Sequence, residues 1–367
     1  MMKPSLTRIA QSLPSTIPFV GPESIARQRG RAFAARLGAN ESGFGPAASV
    51  IKAMSEAAAE SWAYGDPENF EVKAAIAGHL GLKAENVSVG PGIDALLGQA
   101  VRLFAEAGDT VVSSLGGYPT FNYHAAGYGA VLKTVPYRDD HEDLEGLLAL
   151  AVREKAKIAY LANPDNPMGT WHSGEKVAAF AKALPAETLL ILDEAYGETA
   201  PAGTLPDLPS DIPNVLRFRT FSKAYGLAGA RIAYVFGAPE LILAFDKVRD
   251  HFSVSRMVQA AGIAALKDTG HLNAVLRQIE ASRAQLSRIA LENGLRALTS
   301  ATNFVAIDCG RDGAFAKSIL DGLIARDIFV RKPAAPVLDR CIRVSCGPDK
   351  EMALFAAALL DVMGRLK

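Results

Sequence analysis

The sequence predicts an α/β protein with a second, smaller α+β part, and three observations carry that prediction. Short apolar runs that read as buried strands, among them VSVG at 87–90, KIAYLA at 157–162 and LLILD at 189–193, each run into a turn or a helical segment, the alternation of an α/β chain. A chain of 367 residues, 49% hydrophobic and 21% charged, is long for one core and has ample material for two. After residue 300 the pattern changes to NFVAIDC, a helix at 313–326, IFVRKP, CIRVSCG and a final amphipathic helix, which reads as the smaller domain.

Composition narrows the function. Lysine plus arginine equals aspartate plus glutamate at 39 each, so no global field recruits nucleic acid or an anionic membrane, and a small-molecule partner is expected. No apolar stretch is long enough to span a bilayer, the first residues show no apolar h-region with a cleavage site, and a cytoplasmic location is expected. The three cysteines, Cys309, Cys341 and Cys346, lack metal-site spacing, lie in apolar runs and read as reduced core residues; the six histidines show no metal pairing either, so no metal is expected.

Residues 1–36 mix prolines with a basic piece, IARQRGRAF, and read as an N-terminal arm. The loop LGANESGFGPAAS at 37–49 places Asn40, a turn residue or a ligand, ahead of an amphipathic run at 47–61. Tyr64 stands beside the turn Gly65–Asp66–Pro67. In VSVGPGIDALLGQAVRLF, residues 87–104, Gly92, Ile93 and Asp94 form the turn between strand and helix, where free N–H groups and the helix dipole favour an anion. Phe121 in GGYPTFNY is either a core ring or a face for a planar ligand. The acidic run YRDDHED at 137–143 reads as a solvated loop before a helix at 143–155. Two Asn-Pro pairs punctuate the turn that holds Asn166. Asp193 ends a buried strand, where a carboxylate is costly without a cationic partner; a metal-bound or ribose-binding role is the alternative, and Tyr196 follows three residues on. Residues 239–292 read as helices beginning with PELILAFDKVRDHF.

The segment RTFSKAYGLAGARIAY at 219–234 is the centre of the functional prediction. Lys223 follows an apolar run that would partly desolvate it and free its amine for attack on a carbonyl, while Ser222 and Arg231 are phosphate ligands and Gly226 and Gly229 allow a tight turn.

With these motifs in this order, the stretch from Leu37 to Gly347 resembles the pyridoxal-phosphate-dependent aminotransferases of fold type I, and SKAYGLAGARIAY is most similar to their histidinol-phosphate aminotransferase branch. The resemblance implies a mainly parallel seven-stranded sheet with helices on both faces plus a smaller α+β domain. It also implies an arm at 1–36, a large cofactor-binding domain at 37–270 (37–60 leading in from the small domain) and a small C-terminal domain at 271–367. The implied cofactor is pyridoxal 5'-phosphate, bonded by the catalytic Lys223. Its phosphate would be held by Gly92, Ile93, Asp94, Ser222 and Arg231 and by Tyr64 of the other subunit. Its ring would be stacked on Phe121, with Asp193 at the pyridine nitrogen and Asn166 and Tyr196 at the phenolic oxygen. Asn40, Arg331 and Arg343 would bind substrate. The chain departs from the family at Ile93, often a small hydroxyl residue or alanine, and at Ala95, often a glutamate.

The implied reaction moves an amino group from histidinol phosphate or an aromatic amino acid to a 2-oxo acid such as 2-oxoglutarate, in a homodimer with shared active sites. A lyase of the same fold, such as a threonine-phosphate decarboxylase, is the alternative, and a noncatalytic aminotransferase-like binding protein a remote one. Two finer expectations come with the resemblance: a cis bond at Asn166–Pro167, and a basic arm, Arg27, Arg29 and Arg31, folded over the neighbouring active site.

Overall fold

The computed structural model describes residues 4–14 and 20–366. Its strands are β1 (Ala35–Arg36), β2 (Val87–Gly90), β3 (Thr110–Ser114), β4 (Val131–Val135), β5 (Ile158–Ala162), β6 (Leu189–Asp193), β7 (Val215–Thr220), β8 (Ala233–Gly237), β9 (Arg296–Ala297), β10 (Phe304–Asp308), β11 (Ile328–Phe329) and β12 (Cys341–Ser345). Seven of them form one sheet in the order β2-β8-β7-β6-β5-β3-β4. Only β8 runs antiparallel to its neighbours.

Every residue of β5 and β6 is buried, as expected of central strands covered by helices on both faces. From β3 the chain moves outward to β4, returns to the other side of β3 as β5, and then continues through β6 and β7, so the direction of winding reverses between β3 and β5. Ligands of open α/β sheets bind outside the carboxyl ends of the strands at such a reversal, and the loops after β3, β5 and β6 open there.

The helix Ile93–Phe104 follows the β2 turn and buries Leu96, Leu97, Ala100 and Val101 against this sheet. A second core forms where β9, β10 and β12, all antiparallel, and the pair β1–β11 meet the helices Thr269–Glu292, Gly313–Ala325 and Asp349–Leu366. Cys309 and Cys346 lie in that core, and all three cysteines are free and buried.

Three local expectations need correction. The acidic run at 137–143 is not simply a solvated loop, because Glu142 is buried and accepts hydrogen bonds from Ser114 Oγ (2.6 Å) and the Ala162 amide (3.0 Å). The helix expected through Phe252 stops at Ala244, followed by one 3-10 turn at Phe245–Lys247. There Arg249 is drawn onto the Pro67 carbonyl at 2.7 Å, a tertiary contact that local propensity does not contain. The cis bond lies at Asn163–Pro164, and Asn166–Pro167 is trans.

The basic arm is likewise used within its own chain. Arg29 and Arg31 both pair with Asp327, Arg36 pairs with Glu23 at 2.8 Å, and Ala35 and Arg36 form β1 against β11. Arg29 and Arg31 therefore bind the arm to the second core rather than reaching a neighbour's site.

Candidate active site

The loop between β7 and β8 carries the lysine. It closes against the segment at 45–46, where Gly226 has φ 71° and a Cβ would come within 2.5 Å of the Gly45 carbonyl, so only glycine fits. This closure places Lys223 on the wall of a cavity of about 430 Å³ that also exposes Asp94, Tyr118, Tyr160, Asn166, Asp193, Tyr196, Ser222 and Arg231. Lys223 Nζ donates to the Asn40 carbonyl at 3.2 Å and lies 5.5 Å from the centre of the Tyr196 ring. Burial pushes its amine down to about 8; the positive charges of Arg343 and Arg231 act in the same direction, against Asp94 and Asp193.

One end of the cavity is an anion cradle. Gly92 has φ 92°, and a Cβ on it would stand 2.2 Å from Arg231 Nη2, so the guanidinium lies directly over the start of the helix Ile93–Phe104. Gly92 brings no capping side chain, which leaves the first N–H groups of the helix for a ligand. Ser222 Oγ accepts from Thr220 Oγ1 at 2.9 Å and keeps its own proton for an acceptor such as a phosphate oxygen. Arg231 Nη1 is steadied by the Ala228 carbonyl at 3.0 Å, and the nearest carboxylate, Asp94, is 3.8 Å away.

In the middle of the cavity Asp193 accepts from Tyr160 Oη at 2.7 Å and from the Ala195 amide at 2.9 Å. Burial raises its carboxyl to about 6, against the pull of those two donors. The next residue, Glu194, is buried too and is held by Arg217 and Arg219, at 2.7 and 2.9 Å, so the two consecutive carboxylates serve separate partners. Tyr196 Oη accepts from Asn40 Nδ2 at 2.9 Å, and burial holds its phenol well above the ordinary range.

Beyond the far wall, and not itself part of the cavity lining, Arg343 donates from Nη1 to Asn166 Oδ1 at 2.5 Å and from Nη2 to the Gly38 carbonyl at 3.1 Å. Its Nε is buried with no partner among the described residues. Behind Asn166, Asp165 accepts from Tyr137 Oη (2.8 Å) and from the Met168 amide (2.9 Å), and burial raises it to about 7.

The chain is similar to known proteins along nearly its whole length. Residues 35–359 match the family model described as aminotransferase class I and II. The chain belongs to that family. It is 34% identical over 358 residues to a histidinol-phosphate aminotransferase of Anaeromyxobacter sp. (strain Fw109-5), covering 96% of this chain and 97% of that one. A histidinol-phosphate aminotransferase of Mesorhizobium japonicum is 35% identical over 335 residues, 90% of each chain. The crystal structure of histidinol-phosphate aminotransferase from Sinorhizobium meliloti in complex with pyridoxal-5'-phosphate superposes with a TM-score of 0.96, at 57% identity, over 99% of this chain and 98% of that one. The architecture is that of fold type I aminotransferases.

Among the residues singled out in the sequence of this aminotransferase, the cavity gathers Ile93, Asp94, Asn166, Asp193, Tyr196, Ser222, Lys223 and Arg231 in one place. The side chain of Ile93 belongs to the core of the large sheet, so at the cradle its position offers a main-chain N–H. Asn40, 2% exposed, stands behind the wall and orients Tyr196 and Lys223.

Two residues lie elsewhere than expected. Phe121 is fully buried and stacked on Tyr160 at 4.5 Å and 14°, leaving no face for a ligand; the aromatic on the cavity wall is Tyr118, whose Oη donates to Asp94 at 2.8 Å. Arg331 pairs with Arg343 through the main chain, but its guanidinium turns away to the Val20 carbonyl at 2.7 Å and does not line the cavity. Tyr64, expected at the other subunit's site rather than its own, is 77% exposed, leans on Phe252 and does not line its own cavity.

Tyr118, Tyr160 and Thr220 were missed by the sequence reading. Tyr160 had a signal, since a tyrosine inside an otherwise apolar strand needs a partner for its hydroxyl.

Proposed function

We propose that this chain is a pyridoxal 5'-phosphate-dependent transaminase that moves an amino group from histidinol phosphate to a 2-oxo acid such as 2-oxoglutarate. The observation that carries the proposal is the convergence of Lys223, Asp193 and the Ser222–Gly92–Arg231 cradle on one cavity. Those residues fit the cofactor. Gly92 leaves room for Arg231 above a helix N-terminus, Ser222 has a free donor, and a buried carboxylate faces the cavity where a cationic ring nitrogen would relieve it.

When bound, the cofactor supplies an aldehyde that captures amines and a ring that accepts the electron pair of a breaking C–H bond. The chain does the rest. Ser222, Arg231 and the amides after Gly92 would hold the phosphate, Asp193 would keep a proton on the ring nitrogen, and Tyr196 and the Asn166 amide would donate to the phenolic oxygen. Lys223 would hold the cofactor through its aldehyde, and its amine, lowered to about 8, is the base that would move the proton at the amine-bearing carbon of the donor. Arg343, with its buried Nε unpartnered among the described residues, faces the anionic group of the donor.

The active form is a homodimer. Trp62, Tyr64, Phe70 and Phe252 around the turn at 65–69 are 83%, 77%, 67% and 53% exposed, an aromatic surface that a second copy would cover while Tyr64 reaches the neighbour's cofactor phosphate. The arm at 1–36, a large domain at 37–270 and a small domain at 271–367 describe its organisation. Buried free cysteines fit work in the reducing cytoplasm; no helix among the described residues is long and apolar enough to cross a membrane.

A donor panel tests the substrate: histidinol phosphate, phenylalanine, tyrosine and threonine phosphate, each followed for conversion of the cofactor to its amine form. Fast conversion with histidinol phosphate is expected. Fast conversion with phenylalanine and none with histidinol phosphate would overturn the substrate and leave the transaminase standing.

A further inference from the structure

Tyr160 and Ala162 lie two residues apart on β5, so their side chains share a face of the sheet, and Ala162 stands opposite Asp193 on β6. Tyr160 is therefore diagonal to Asp193. The alanine between them is small enough to leave the path open, and a tyrosine is long enough to cross it. Its Oη reaches Asp193 Oδ2 at 2.7 Å, the one side-chain hydrogen bond to that carboxylate among the described residues. The ring has no freedom to do otherwise: it is 1% exposed and stacked on Phe121 at 4.5 Å and 14°. A phenylalanine would fill the same space equally well, so packing alone gives no reason for the hydroxyl.

We propose that Tyr160 is a positioning residue for the reaction, its phenolic O–H fixing the Asp193 carboxylate against the cavity and supporting its negative charge. The proposal rests on the reading of Asp193 as the partner of the ring nitrogen. Asp193 is short of other support. The Ala195 amide donates from its own loop and Lys223 faces it from the loop after β7, but Asp94 from the helix after β2 and the buried Glu142 and Asp165 oppose its ionisation. Burial keeps the Tyr160 phenol far above its ordinary range, so it stays a donor at every working pH. Phe121 acquires a role as well: it clamps the positioning ring instead of touching the ligand.

The test is a carbon-13 titration of aspartate carboxyls in the full-length protein stripped of pyridoxal phosphate, with Asp193→Asn assigning the resonance. Wild type is expected to titrate near 6 at Asp193. Tyr160→Phe is expected to raise that midpoint by about one unit or more, the size of one hydrogen bond to a charged group. Replacement of Tyr160 by 3-fluorotyrosine, the same shape with a more acidic hydroxyl, is expected to lower it. Midpoints unmoved in both variants overturn the proposal, even if activity falls. Because no cofactor is present, the result is separate from the Asp193 reading itself, which fails if Asp193→Asn keeps wild-type turnover.

Discussion

Asp193 lines the cavity and Arg343 stands beside it against Asn166, opposite charges held by different kinds of support. Asp193 ends a central strand, between paired neighbours β5 and β7, with two donors behind it. Arg343 belongs to β12, a strand of the second core, paired with β10 and bridged to Arg331, and it spans the gap to Asn166 and Gly38. The end of a buried parallel strand constrains a side chain through local pattern alone, and Asp193, Asn166 and Lys223, all singled out in the sequence, line one cavity. The position of an arginine on the other sheet depends on how two cores meet: Arg343 touches Asn166 of the cavity wall, whereas Arg331 turns to the Val20 carbonyl.

The largest effect separating the two regions is expected at the lysine. Lys223→Ala removes both the amine that bonds the cofactor and the base, and turnover should fall by at least about 10³-fold in a steady-state assay; a variant with wild-type rates would contradict the role of this loop.

Next comes Asp193→Asn, which should cost about 10²-fold in turnover while phosphate-anchored cofactor content holds. The same substitution has a second signature without cofactor. The carboxyl is raised from 3.8 to about 6, so the folded protein binds a proton that the unfolded chain has released. Wild-type stability therefore declines as pH rises through that window and stays lower above it. The variant should gain up to about 3 kcal/mol over wild type at pH 7 and nothing at pH 3 in denaturant melts. Equal stability at both pH values would place Asp193 in a less costly environment than the structure shows.

The smallest effects sharpen the substrate end. Arg343→Ala should lower kcat/KM for histidinol phosphate by about 100-fold, the scale of a lost charge-assisted contact in an enclosed site. Arg331→Ala should change it less than about threefold, as expected of a half-open side chain tied to the Val20 carbonyl. Comparable losses in both would mean that Arg331 swings inward when substrate binds.

The same contrast explains how much was legible. Strand ends, glycine turns and the order of the motifs identified the α/β sheet and most of the cavity, because period, breakers and desolvated charges are local properties. Phe121 was chosen and Tyr118 passed over because nothing in the sequence says which of two aromatics three residues apart faces the cavity; the packing of Phe121 on Tyr160 of β5 leaves that place to Tyr118. Glu142 was read as solvated because an acid in a charged run looks exposed until the amide of Ala162 is brought to it. Arg29 and Arg31 were sent to a neighbouring subunit because their partner, Asp327, lies almost 300 residues along the chain.

The central claim is that this cavity bonds pyridoxal phosphate through Lys223. Borohydride reduction of the purified protein loaded with cofactor, followed by peptide mass mapping, tests it most directly. The account predicts one pyridoxyl group per chain, on the peptide that contains Lys223. A label on another lysine, or none at full cofactor loading, would contradict it.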